Sequence, residues 1–434
     1  MIFRCRDMSL AFKILKKAIE LADPYKAVLN FVKINEDIEV GGKKFKADKI
    51  YVVGFGKAVC PMAKALEDLM LDKIEGGVVV TKYGYSLSLK KIKVLEAGHP
   101  IPDENSLKAS LKIMEVAKNV EKDDLLIVLI SGGGSSLFTL PDEGISLEDK
   151  IRTYELLLSC GAKIHEVNTV RKHISKVKGG KFVRNIGGKV VSLIISDVVG
   201  DDLEVIASGP TTKDKTTFED TYRILKIYGI WDKVPESVRR HVELGMRGFR
   251  EETLKKDLPN VHNFLIASNR IVCEGLAEFC RGLGYNAHIL TTTLEGEAKD
   301  VATSLGSIVQ EISKFDRPFK RPCILIAGGE LTVTLNSHGK GGPNQEFALS
   351  ISKKIAGLNA TVLAFDSDGT DGPTDSAGGI VDGSTFNILR EKGIDVDEYL
   401  KNHNSYEALK VANALIFTGP TRTNLNSFFI AIIP

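Results

Sequence analysis

The sequence predicts an α/β protein: two Rossmann-like domains with mostly parallel sheets covered by helices, and an active-site cleft between them. Apolar, β-branched runs alternate with helical patterns along nearly the whole chain, which is how a sheet buried on both faces reads. Several of these runs stop at glycine turns, as strands do where they open a ligand crevice at their carboxyl ends. At 434 residues the chain exceeds what one hydrophobic core serves, so two domains follow, 1–250 and 251–434, divided in a polar, strand-free stretch.

The lead-in is helical. Leu10, Ile14, Leu15, Ala18, Ile19 and Ala22 recur with helical spacing, and Asp23-Pro24 supplies a cap and a first-turn proline for a second helix through Val32. Strands are predicted next at 49–56, 76–82, 93–98, 124–132 and 190–197. Between 213 and 260 the strand signals vanish; a helical pattern surrounds Tyr222 to Tyr228 and a very polar run occupies 247–257. A second series of strands is predicted at 261–268, 286–292, 322–330, 332–336, 360–369, 413–418 and 428–433, with no repeat of fixed period.

Lys and Arg number 58 against 56 Asp and Glu, a net charge of +2, so no bulk field directs the chain to nucleic acid or to an anionic membrane. Any anion site must be local. The six cysteines, at 5, 60, 160, 273, 280 and 323, form no C-x-x-C pair and read as reduced thiols of a cytoplasmic protein. No window has the length of a membrane span, and charged residues interrupt the N-terminus where a signal peptide would be continuously apolar. The eight histidines offer no H-x-x-x-H or H-E-x-x-H spacing, so no transition metal is expected.

Residues 125–136, LLIVLISGGGSS, carry an apolar strand straight into Ser131, Gly132, Gly133, Gly134 and Ser135. Glycine turns of this kind expose backbone N–H groups that can wrap phosphate. In VVGFGKA, Gly54 and Gly56 end a strand and Lys57 stands where a helix opens, in reach of an anion. Val59 occupies the place of a third dinucleotide-fingerprint glycine, and no Gly-Lys pair precedes Ser or Thr, so neither a Rossmann fingerprint nor a Walker A loop is present. The segment 164–181 gathers Arg171, Lys172, His173, Lys176 and Lys178 before Gly179-Gly180, a pattern shared by solvated helix faces and by sites that hold carboxylates and phosphates. Asp197 directly follows an apolar strand, with Asp201 and Asp202 after a glycine turn; one such carboxylate can accept a hydroxyl proton while another binds magnesium through water. Asp366, Asp368 and Asp371 follow a later strand and read as a magnesium or ribose site, because Ala377 stands where a calcium loop needs glutamate. Asn344 and Gln345, in GKGGPNQE, add amide donors and acceptors.

In order, GFGKA, GHPIPD, SGGGSS, HEVNTVRKHISKVKGGK, SDVVGDDLEVIASGPT, GGE, GGPNQE and DGTDGPTDSAG closely resemble the type 2 glycerate kinases, whose C-terminal domain is known as MOFRL. The match runs nearly the full length. The resemblance implies transfer of the γ-phosphoryl group of ATP to D-glycerate with Mg²⁺, giving 2-phosphoglycerate, an expectation that comes from the family and from no single residue. It implies that Lys57 contacts the transferred group, that Asp197 orients or deprotonates the hydroxyl, and that the loop from Gly132 to Ser135 cradles phosphate. Arg171 or Lys172 would clamp the carboxylate. Asp197, Asp201, Asp368 and Asp371 are the candidate metal ligands, and Ser131, Lys178 and Asn344 further candidate contacts. Two departures stand out: Pro343 replaces an arginine of many relatives, and the C-terminal motif reads TGPTRTNLNS, which sets Arg422 against that missing charge.

Two rival functions compete. A hydroxypyruvate reductase would handle the same three-carbon acid with NAD(P)H, and a non-catalytic nucleotide-binding protein would use the glycine loops alone. Small-molecule substrates, no nucleic acid, no membrane and a homodimer complete the expectations.

Overall fold

The structure, a computed structural model, describes residues 6–434; Cys5 lies outside the described residues, and none of the other five cysteines is in a disulfide. The chain divides into two compact units, one of residues 24–266 and one that joins the segment ending at Asp23 to Ala267–Pro434.

The first unit opens with the helix Pro24–Phe31, its proline in the first turn as the sequence predicts, and a small antiparallel sheet of β1 (Val32–Ile34), β2 (Ile38–Val40) and β3 (Lys43–Phe45). This sheet is absent from the sequence reading. Its signal was the Gly41-Gly42 pair, whose φ of +56° and +82° suits the tight turn of a two-residue hairpin. The main sheet comprises β4 (Ile50–Phe55), β5 (Ile74–Lys82), β6 (Ile92–Ala97), β7 (Leu125–Ile130), β8 (Lys189–Ile195) and β9 (Val261–Ala267), in the order β6-β5-β4-β7-β8-β9. The pairs β4–β5, β4–β7, β5–β6 and β7–β8 are parallel, so the expected Rossmann-like sheet is present. All six residues of β7 are buried, as a central strand covered on both faces requires. The strand order reverses between β4 and β7, the place where open sheets of this type form a crevice. Below it, Phe55 stacks on Phe138 at 4.3 Å and Phe182 meets Phe138 edge-on at 5.1 Å.

The strand-free stretch is not a linker. Helices Leu147–Ser159, Ile164–His173, Phe218–Ile227 and Glu236–Met246 pack around Leu157, Val170, Leu225, Trp231 and Val238 as a second core of the first unit. The polar run after them is stitched down: the Leu254 N–H donates to the Gly179 carbonyl at 2.8 Å, and the Asp214 N–H to the Leu254 carbonyl at 2.7 Å. The division therefore falls at Ile266/Ala267 rather than at 250/251, and the N-terminal helix Arg6–Leu21 belongs to the second unit. There a Cβ at Gly275 of the helix Asn269–Gly282 would stand 3.0 Å from Leu21.

The sheet of the second unit departs from expectation. Its strands are β10 (Asn286–Glu297), β11 (Cys323–Thr332), β12 (Thr361–Asp366), β13 (Gly378–Asp382), β14 (Leu415–Ile416) and β15 (Ser427–Ile433), ordered β10-β11-β15-β12-β13-β14. Only β10–β11 is parallel; β11–β15, β12–β15, β12–β13 and β13–β14 are antiparallel. The reason is connectivity: the segment 367–377 joins β12 to β13 without a crossover helix, and the C-terminal strand enters between β11 and β12 against both. Of the strand read at 332–336 only Thr332 is in a strand, as the last residue of β11, and 333–336 are irregular; β13, opening on two glycines, was not predicted.

Candidate active site

Four parallel strands of the first unit deliver their carboxyl ends to one place. β4 leads into Gly56-Lys57, β6 into Gly98-His99, β7 into the glycine loop and β8 into Ser196-Asp197. The Lys57 N–H donates to the Gly132 carbonyl at 2.9 Å, and the Ala58 N–H to Ser131 Oγ at 3.0 Å, which locks the two loops together. Ser131 is thus buried and acts as a fastener.

Each glycine of the loop makes room for a different neighbour. A Cβ on Gly132 would lie 2.2 Å from Asp197 Oδ2; on Gly133, 2.9 Å from the His99 ring and 3.3 Å from Lys57 Cγ; on Gly134, 2.8 Å from Ala207. Gly133 also has φ +84°, the left-handed region that favours glycine. The loop is therefore a packing node that brings Lys57, His99 and Asp197 together. Phosphate binding by its N–H groups, expected from sequence, is a separate matter that packing alone does not require.

Burial raises the Asp197 carboxyl above its ordinary range, while the positive charge of Lys57 pulls it partly back. A half-buried carboxylate beside a cation is suited to take a proton. His99 is driven the other way, to about 4, by burial first and by the charges of Lys57 and Lys82 second. It stays neutral at physiological pH.

Gly133 borders a cavity of about 120 Å³ lined also by His99, Ser135, Lys150, Tyr154 and Arg171 together with apolar residues. Arg171 Nη1 donates to Asn168 Oδ1 at 3.2 Å and to Ser208 Oγ at 3.4 Å, and its guanidinium lies 4.4 Å from the Tyr154 ring centre. Ser208 Oγ in turn meets Ser135 Oγ at 2.9 Å. Ala207, Ser208 and Gly209 all have positive φ, of 51°, 62° and 60°. Strain of this kind in non-glycine residues costs on the order of 1 kcal/mol each and concentrates at functional sites.

Other residues read from sequence are placed elsewhere. Lys172 is buried in an ion pair with Asp214 at 3.1 Å, so its charge is already committed. Lys178 is fully buried and its ammonium donates to the Gly134 carbonyl at 2.9 Å and the Ala207 carbonyl at 2.8 Å. It is a strut between the glycine loop and the strained turn, not a surface contact for phosphate. In the second unit, Asp371 caps the helix Pro343–Lys354: its carboxylate accepts from the Asn344 N–H at 3.0 Å and the Gln345 N–H at 2.8 Å. Asn344 is buried with it, its amide donating to Asp371 and to Ser427 Oγ. Asp368 accepts from the Thr370 N–H and hydroxyl, both at 2.8 Å. Pro343 takes the first turn of that helix, and Arg422 is exposed with φ +60°.

Among the described residues no group of three or more His, Cys, Asp or Glu gathers as a metal cage. Of the carboxylates named from sequence, Asp197 and Asp201 belong to the first unit and Asp368 and Asp371 to the second. Sequence reasoning missed His99, Lys150, Tyr154, Asn168 and Ser208. His99 stood inside GHPIPD, Asn168 inside HEVNTVRKH and Ser208 inside ASGP; Lys150 had only a charged residue's place on an apolar helix face to mark it.

The family described as "Domain of unknown function (DUF4147)" matches residues 10–243, and the MOFRL family matches residues 323–427. A Pyrococcus horikoshii protein named "Glycerate 2-kinase" is 61% identical over 98% of this chain and 97% of its own. This chain belongs to the type 2 glycerate kinase (MOFRL) family. The crystal structure of a glycerate kinase from Thermotoga maritima superposes with a TM-score of 0.89 at 43% identity, covering 98% of this chain and 99% of that one. Names within the family differ: an Agrobacterium vitis protein, 39% identical over 97% of this chain and 93% of its own, is named "Putative hydroxypyruvate reductase".

Proposed function

We propose that this protein is an ATP-dependent kinase that transfers the γ-phosphoryl group to D-glycerate, with C2 as the acceptor position. One observation carries the reading: Asp197 and Lys57 pack against adjacent glycines of one loop at a sheet switch point, a base beside a cation. The shared glycerate kinase ancestry supports it.

Phosphoryl transfer asks for positioning and charge neutralisation more than for covalent work. In this reading Asp197 accepts the proton of the glycerate hydroxyl, the freed oxygen bonds to the γ-phosphorus as the bond to ADP breaks, and Lys57 balances charge on the migrating group. Magnesium, held on the nucleotide, adds neutralisation when bound. Neutral His99 offers a hydrogen bond without adding charge. Arg171, held by Asn168 and Ser208, presents its remaining donors to the substrate carboxylate. Cytoplasmic action fits the reduced cysteines, and no described helix is long and apolar enough to cross a membrane.

Purified protein with ATP, D-glycerate and Mg²⁺ should give ADP and 2-phosphoglycerate, resolved from the 3-phosphate by phosphorus NMR. Oxidation of NADH with hydroxypyruvate and no ADP formation would overturn the reading in favour of the reductase.

A further inference from the structure

Lys150 lies on the buried face of the helix Leu147–Ser159, in line with Thr153 and Leu157, where the helical period calls for apolar residues. It is only 6% exposed, and its Nζ has no hydrogen-bond partner in the protein. The nearest carboxylate that influences it, Asp142, is already paired with Lys181 at 3.0 Å. Leaving an amine dry and unpaired is costly, and folds seldom retain one without a use. Lys150 instead faces the cavity shared with Arg171, Ser135, Tyr154 and His99. Lys150, Arg171 and the neutral ring of His99 line this space with no carboxylate, while Ile151, Leu157, Val170 and Ile174 make its walls. A short, singly charged organic anion matches that lining; a triphosphate, with far more charge, does not.

We infer that Lys150 is the inner contact for the substrate carboxylate, gripping it opposite Arg171 and so selecting a small hydroxy acid. The inference rests on the kinase reading for the identity of the acid. Burial, with repulsion from Arg171 and Lys181, lowers the pKa of the amine to about 7 against a weaker pull from Asp142, and Lys178 is a further basic group that Lys150 repels. An arriving carboxylate restores the charged form.

The test is Lys150→Met, which keeps the side chain's length and removes its amine. The KM for D-glycerate should rise by about 10-fold or more, as loss of a charged hydrogen bond implies, with kcat and the KM for ATP changed by less than about threefold. Thermal shift gives a readout independent of turnover: D-glycerate should raise the melting temperature of the wild-type protein and not that of the variant. Without ligand the variant should melt at or above the wild-type temperature, since a dry amine has been removed; a structural lysine would lower it. An unchanged KM for D-glycerate with an unchanged thermal shift would overturn the assignment, as would a rise confined to the KM for ATP. Failure of the kinase reading looks different: wild-type protein would then turn over no hydroxy acid with ATP, while the thermal shift still reports whether a carboxylate reaches Lys150.

Discussion

Three side chains illustrate how one residue type takes unlike roles in one unit. Lys57 stands beside a carboxylate at a strand end, Lys178 braces two carbonyls, and Lys150 has no partner at all. The clustering of basic residues in 164–181 was legible in the sequence, but which ones turn inward was not, because inward direction depends on Asp214 and Ala207, distant in sequence. At this scale the sharpest prediction concerns Asp197. Replacing it with Asn should lower kcat by about two to four orders of magnitude with little change in KM, as loss of a general base does. A base works deprotonated, so activity falls as pH drops through its pKa, and burial places that acid limb above the ordinary carboxylate value of 3.8. Lys57→Met removes the charge that pulls the pKa down, so in its residual activity the limb should move to higher pH; a limb that stays put would dissociate the pair. Lys150 predicts a pH effect on stability. Its folded pKa of about 7 lies below the ordinary 10.5, so the unfolded chain binds the proton more tightly and stability is lost as pH falls from about 10 towards 7. Melting temperatures of Lys150→Met should lack that component of the slope.

The strand-to-loop junctions are where sequence and structure agree best. β4, β6, β7 and β8 were all predicted within a few residues, because each is a short apolar run punctuated by glycine or charge. What the glycines do was less legible. Their run reads as a phosphate cradle, yet each one also leaves space for a neighbour from another strand, a relation that no spacing within residues 131–135 encodes. A substitution separates the two ideas. Gly132→Ala would place a methyl 2.2 Å from Asp197 Oδ2, forcing the carboxylate aside, and should cost activity nearly as much as Asp197→Asn while the far-ultraviolet spectrum is retained. Gly76→Ala, at a strand glycine with nothing within 4 Å of the added methyl, is the control and should keep wild-type turnover. Comparable activity in both variants would show that the packing node does not govern Asp197.

For the whole molecule, composition and period foretold an α/β chain in two parts but misplaced the seam and the direction of the second sheet. The causes differ: after a long polar, helical excursion β9 returns to the edge of the first sheet beside β8, whereas β15 enters the second sheet out of chain order, between β11 and β12. β9 reads as the start of a second series, yet it flanks β8, and Phe264 on it meets Phe31 and Phe45 edge-on at 5.9 and 6.4 Å. Val261 and Leu265 pack against the core of the first sheet, and Ile266 is buried. Ile266, fully buried, contributes roughly 1.5–3 kcal/mol and the partly buried Val261, Phe264 and Leu265 add less each, so losing the strand removes several kcal/mol, a large share of the roughly 5–15 kcal/mol that holds a domain together. A fragment of residues 24–268 should therefore fold, with a cooperative thermal transition, whereas 24–250, cut at the seam expected from polarity, should not. If the shorter fragment melts as cooperatively as the longer one, β9 is dispensable and the first unit ends before it.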